Sequence, residues 1–139
     1  MNEPALINEI LTQAKTIAVI GATDSASKPS HFVPAYLQQH GYRVVPVNPS
    51  VESALGEKSY ASLTELVAAG IRPDVVDVFR LPKFIPAIVN EMLALGLDNL
   101  WIQSGIINEQ AAAKAEAGGI HVVMDHCIMV EHRHLRPIA

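Results

Sequence analysis

The chain has 139 residues, half of them hydrophobic, with a single cysteine and a formal net charge of −4. That length and composition fit one well-cored domain needing neither disulfide nor metal, and exclude a disordered chain. The negative charge argues against a general nucleic-acid binder, and no apolar run approaches the ~18 residues of a membrane span. One cysteine, Cys127, and acids where a signal sequence would be basic predict a reducing, cytoplasmic setting.

Residues 4–14 read as a first helix. Thr16–Ile20 (TIAVI) is a short, continuous apolar run that ends in Gly21, as a strand covered on both faces does. A helix over 30–40 stops at Gly41, and the strand RVVPV over Arg43–Val47 stops at Asn48-Pro49. Ser62 and Glu65 form an S-x-x-E capping box opening a helix that ends before Gly70. The run VVDVF at 75–79 is followed by Arg80-Leu81-Pro82. Ile85, Ile88, Val89, Met92 and Leu95 then place one apolar stripe on a helix over 83–95. NLWIQ at 99–103 leads into Ser104-Gly105, Asn108 caps a helix over 108–117, and IHVVM at 120–124 is the last strand. Residues 129–139 read as a short, partly mobile tail.

This alternation of strands and helices predicts an α/β, Rossmann-like, doubly wound fold: a mainly parallel five-stranded sheet with helices on both faces, forming one domain over 1–139. Ligands of such sheets bind beyond the carboxyl ends of the strands, where strand order reverses. The candidate site therefore lies in five loops, at 21–30, 47–50, 79–82, 103–105 and 125–127.

The first loop has one glycine, Gly21, and lacks the G-x-G-x-x-G pattern. Thr23, Ser25 and Lys28 offer hydroxyl donors and a positive charge at a helix N-terminus suited to phosphate. Ser30 can cap that helix or donate to the phosphate, and Asp24 must point away. The alternative is an ordinary strand-to-helix turn. After the second strand stand Asn48, Pro49 and Ser50, with no acid to bind the ribose hydroxyls as in NAD-binding domains. That disfavours NAD and leaves NADP, CoA or another phosphorylated adenosine open. Arg80 can pair with a phosphate, and Phe79 can wall an adenine or belong to the core. Gln103, Ser104 and Gly105 form a polar loop where backbone can approach a ligand, while Trp101 reads as core.

Two further chemistries have weaker signals. His126 and Cys127 are neighbours on an extended segment, so their side chains point apart and do not readily form a nucleophile–base pair. The spacing of His126, Cys127, His132 and His134 matches no standard zinc pattern.

In order and spacing, the segments TIAVIGAT, KPS, HGYRVVPVNPS, LGEKSYASL, VVDVFR and LWIQSGIINEQAAAKAEAGGIHVVMDHCIMVEHRHL resemble the small bacterial CoA-binding-domain proteins. They are similar to the CoA-binding N-terminal domain of the succinyl-CoA synthetase alpha subunit. The resemblance implies CoA or an acyl-CoA as ligand. It implies that Gly21, Ala22, Thr23 and Ser25 face the diphosphate with Lys28, Pro29 and Ser30 close by. It sets Val47, Asn48, Pro49 and Ser50 beside the adenosine, Val78, Phe79 and Arg80 beside the nucleotide, and Gln103, Ser104 and Gly105 toward the pantetheine. CoA carries a ribose 3′-phosphate, which the absence of an acid after the second strand suits. At His126 the sequence departs from relatives that often carry arginine.

In the synthetases the phosphorylated histidine belongs to a second domain, so neither His126 nor His134 inherits its role. The expected function is noncatalytic binding, as a sensor or regulator, with a protein partner or self-association open. The alternatives are a NADP-type oxidoreductase and a regulatory scaffold that has lost its ligand. The first lacks both G-x-G-x-x-G and a Tyr-x-x-x-Lys pair.

Overall fold

In the computed structural model, which describes residues 1–135, five parallel strands form one sheet in the order β2-β1-β5-β6-β7. They are β1 (Thr16–Ile20), β2 (Arg43–Val47), β5 (Val75–Val78), β6 (Asn99–Ile102) and β7 (His121–Met124). The chain leaves β1 to one side for β2, then crosses back to place β5 on the other side of β1. Strand order thus reverses between β1 and β5, and a crevice opens beyond their carboxyl ends.

Alternation along each strand sorts its side chains between two faces. Ala18, Ile20, Val76, Val78, Leu100 and Ile102 pack against α3 (Leu63–Ala68), α4 (Ile85–Leu95) and α5 (Glu109–Ala117). Ile17, Val19, Val75, Trp101 and Val123 pack against α1 (Pro4–Gln13), α2 (Pro29–Gln39) and α6 (Ile128–Arg133). Helices cover both faces, as the continuous apolar runs require, and Trp101 is fully buried core.

Proline sets three local departures from the expected elements. Helix α2 starts at Pro29 with Lys28 at its N-cap, so Ser30 lies in the first turn and makes no cap. Proline suits this entry because its fixed φ is helical and its missing N–H is one the helix leaves unpaired there. Further along α2, Pro34 has no N–H for the carbonyl of Ser30, and that carbonyl accepts from Thr23 N–H instead at 3.3 Å. Before α4, Pro82–Phe84 form a separate 3₁₀ turn, closed by Ile85 N–H on Pro82 O. Pro86 supplies no N–H to extend the α-helix backward.

Two elements were not expected. The segment 129–133, read as tail, belongs to helix α6, which rests on α2. Tyr36 Oη is 2.8 Å from His132 Nδ1, and the Tyr36 and His40 rings stack at 4.0 Å. Burial, reinforced by the neighbouring His40, holds the His132 imidazole below its usual pKa. Residues 136–139 of the tail lie outside the described residues. The other element is a two-residue hairpin, β3 (Ser53–Ala54) with β4 (Glu57–Lys58). The Ser62 half of the capping box of α3 forms, Ser62 Oγ accepting from Glu65 N–H at 3.1 Å, while the Glu65 carboxylate accepts from the Ala61 N–H, one residue before the N-cap, rather than from that of Ser62.

Candidate ligand-binding site

The site is built outward from Gly21. Its N–H continues the ladder onto Val47 O at 2.9 Å, and Phe79 N–H does the same onto Ile20 O. The two central loops therefore leave the sheet pressed together. A Cβ on Gly21 would meet Phe79 O at 2.7 Å, and the residue has φ +92°. Only glycine meets both conditions.

The loop after Gly21 is held by its own polar groups. Asn48 Nδ2 donates to Ala22 O at 3.0 Å, and Asn48 Oδ1 accepts from Ser50 N–H. Thr23 Oγ1 accepts from Ser25 N–H, and His31 Nδ1 lies 2.8 Å from Thr23 O. Asp24 bonds sideways to the hairpin, its Oδ1 accepting from Leu55 N–H at 2.8 Å. The carboxylate is thereby turned to the hairpin, with its charge retained.

Beyond these loops lies a cavity of about 720 Å³, in the size range of small-molecule sites. It is walled by the start of α2, the segment after β5 and the loop after β6. Of the expected site residues, it brings together Lys28, Pro29, Ser30, Phe79, Arg80, Gln103, Ser104 and Gly105. Phe79 both packs on the core and lines the cavity. Gly21, Thr23 and Ser25 lie in the adjoining loop and do not line the cavity, while Ala22, Val47 and Val78 are buried core. Asn48 is half-buried, and Pro49 and Ser50 are exposed, to the side of the cavity.

The electrostatics of this wall are one-signed. Lys28 and Arg80 are its charged lining residues, and no acid lines it. Neither makes an ion pair among the described residues. Arg80 stacks on the Phe84 ring at 4.0 Å, and Lys83 lies 5.2 Å from the same ring. Stacking fixes the guanidinium plane without consuming its N–H donors.

Leu81 and Pro82, which fall in the candidate loop at 79–82, complete the apolar wall together with Phe32, Val33, Phe84 and Ile106, which sequence reasoning did not mark. Their signal was weak because each also fits a helix or loop surface. Cys127 lines the cavity too, whereas His126 Nδ1 bonds Glu131 Oε1 at 2.9 Å and lines a different cavity. The two neighbours are not arranged as nucleophile and base. Gln103 is fixed by the start of α6, its Oε1 accepting from Ile128 N–H at 3.1 Å. Asp125 Oδ1 accepts from Gly105 N–H at 2.7 Å.

Asp77 was also missed. It sits mid-strand on β5 between Val19 and Trp101, fully buried, on the side of the sheet that Phe79 packs against. Neither of its carboxyl oxygens has a hydrogen-bond partner among the described residues. Burial, opposed only in part by the nearby Val78 N–H, which does not make a full hydrogen bond, pushes its pKa well above the usual carboxylate range.

A five-stranded parallel sheet with its crevice at the β1/β5 reversal and helices on both faces defines an α/β domain of the Rossmann-like class. Within that class, residues 15–133 match the family model described as CoA binding domain, and the chain belongs to that family. It is 39% identical to the uncharacterized protein YneT of Bacillus subtilis, over 92% of this chain and 93% of that one. It is 31% identical to an ADP-forming acetate–CoA ligase of Archaeoglobus fulgidus over 73% of this chain, but spans only 15% of that ligase. Its fold matches a solved Thermus thermophilus structure with a TM-score of 0.89 and 42% identity, covering 96% of this chain and 99% of that one. A hypothetical protein from Pyrococcus horikoshii matches with a TM-score of 0.89 and 36% identity, over 96% and 92% of the two chains.

Proposed function

We propose that this protein binds coenzyme A or an acyl-CoA at the carboxyl edge of its sheet without transforming it, as a cytoplasmic sensor or regulator. The observation that carries the reading is the one-signed cavity. In a chain of net charge −4, its charged lining residues are Lys28 and Arg80, both basic. A diphosphate ester with an amphipathic arm fits such a wall.

In this reading the diphosphate lies along Gly21, Ala22, Thr23, Ser25 and Lys28–Ser30, where the turn has no Cβ and α2 begins. The adenosine lies toward Val47–Ser50, with Val78–Arg80 beside the nucleotide, and the pantetheine arm runs toward Gln103–Gly105. The kinship with a segment of an acetate–CoA ligase supports CoA over a nicotinamide dinucleotide. The separation of the one thiol from its neighbouring imidazole, which line different cavities, supports the noncatalytic reading against a Cys127–His126 nucleophile–base pair.

Isothermal titration with CoA, 3′-dephospho-CoA and NADPH tests it. Micromolar CoA affinity, weakened by loss of the 3′-phosphate, is the expected result. Absence of CoA binding at two temperatures would overturn the reading, and tight NADPH binding would put a NADP-type oxidoreductase in its place.

A further inference from the structure

The mouth of the cavity exposes more apolar surface than a phosphate site needs. Phe32, Leu81 and Phe84 are 42%, 62% and 37% exposed and line the same cavity from two elements. They are three of the six large hydrophobic residues exposed among the described residues. Ile107, also exposed, directly follows the cavity-lining Ile106. Exposed apolar side chains scattered singly need no explanation, but a cluster at one opening marks an interaction surface.

The occupant must suit three features together. The surface is the mouth of a cavity rather than a flat face, which favours a small molecule over a protein. Basic groups, Lys28 and Arg80, stand among the apolar ones, so the occupant is anionic at one end. Polar partners are few and partly committed, Gln103 Oε1 being held by Ile128 N–H. The two amides of a pantetheine arm need hydrogen bonds, which the apolar residues at this mouth do not offer.

Building on the CoA reading, we infer that the site is made for an acyl-CoA with an apolar acyl chain, in preference to free CoA. The acyl chain covers Phe32, Leu81, Phe84 and Ile106, while the phosphates meet Lys28 and Arg80.

The test is titration of the full chain with CoA, acetyl-CoA and octanoyl-CoA, beside the variants Leu81→Ser and Phe32→Ser. Each methylene withdrawn from water adds up to about fourfold in affinity. Octanoyl-CoA is therefore expected to bind at least about tenfold tighter than acetyl-CoA, allowing for partial burial. In either variant the ratio of octanoyl-CoA to CoA affinity should fall toward one. Cys127 gives a second readout: octanoyl-CoA should slow its alkylation by iodoacetamide at lower concentration than CoA does. Equal affinity for all three ligands would overturn this inference and leave the CoA reading standing. Failure of all three to bind would overturn both. A concentration-dependent dimer by size exclusion, undisturbed by octanoyl-CoA, would make the patch a self-interface and end the inference.

Discussion

The two ends of the same sheet are built from different materials. At the amino end, a cleft of about 430 Å³ is lined by Glu9, Arg72, Asp74, Asp98 and His121 among others. Several of its polar atoms are spent on the fold. Asp74 Oδ2 accepts from the N–H groups of Lys15 and Thr16, both at 2.9 Å, and Arg72 donates to the carbonyls of Leu95 and Gly96. At the carboxyl end the polar groups hold the loops, while the cavity wall keeps apolar surface and two basic groups free of ion pairs among the described residues. At the amino edge side chains hold strand and helix ends together; at the carboxyl edge they brace the loops around the cavity. The contrast teaches where to look for function: at the end where two basic groups stand on an apolar wall, rather than where Asp74 and Arg72 tie down strand and helix ends.

The strongest way to break this contrast is Gly21→Ala. The variant forces a methyl against Phe79 O and a left-handed residue at φ +92°. It should cost at least about 2 kcal/mol, lowering Tm by roughly 6 °C, and abolish CoA binding. Thermal melts and titration check it, and a stable variant with normal binding would show that the pinch does not shape the site.

Asp77 asks whether the sheet interior favours stability or something else. Asp77→Val removes a buried carboxyl without partners and should stabilise the fold by about 1–3 kcal/mol at pH 7. Burial raises the carboxyl's pKa in the fold, while the unfolded chain ionises above about pH 4. The folded state then holds the extra proton, so the wild type loses stability as pH rises above that value, until the folded-state pKa is passed. The variant should not. Denaturant melts from pH 4 to 8 should show a gap that widens with pH; a constant gap would contradict the assignment.

Arg80→Ala and Asp74→Ala sharpen the comparison as a pair. The first should weaken CoA about tenfold, through loss of a charge-assisted contact, with little change in Tm. The second should cost about 1 kcal/mol of stability through two lost hydrogen bonds and leave CoA affinity unchanged. Titration and melts of both variants would reveal any reversal.

The sheet was legible because its strands are buried on both faces and carry nearly unbroken apolar runs. Thr16–Ile20 and Arg43–Val47 fall where the runs do, and the other three strands differ by a residue at one end. The hairpin was not legible. Its turn places Leu55 and Gly56 at φ 57° and 74°, and leucine is not a residue that signals a left-handed turn. Leu55 is held there from outside the hairpin, its N–H by Asp24 and its carbonyl by Gln38. Helix α6 escaped notice because its six residues carry little periodicity and depend on contacts with α2. In the candidate site, loop positions after strands were readable, whereas the apolar wall was not, since Phe32 and Phe84 come from neighbouring elements that only the tertiary fold brings together. Asp24 shows the same limit: its distant partner, the Leu55 N–H, has no signature in the local sequence.

The most direct measurement is a CoA titration followed through the backbone amide resonances of isotope-labelled protein. The account expects shifts confined to the carboxyl edge, at Gly21, Lys28, Ser30, Phe79, Arg80, Gln103–Gly105 and Cys127, with Arg72, Asp74 and Asn99 at the amino edge unmoved. Shifts centred on the amino edge, or none at saturating CoA, would contradict it.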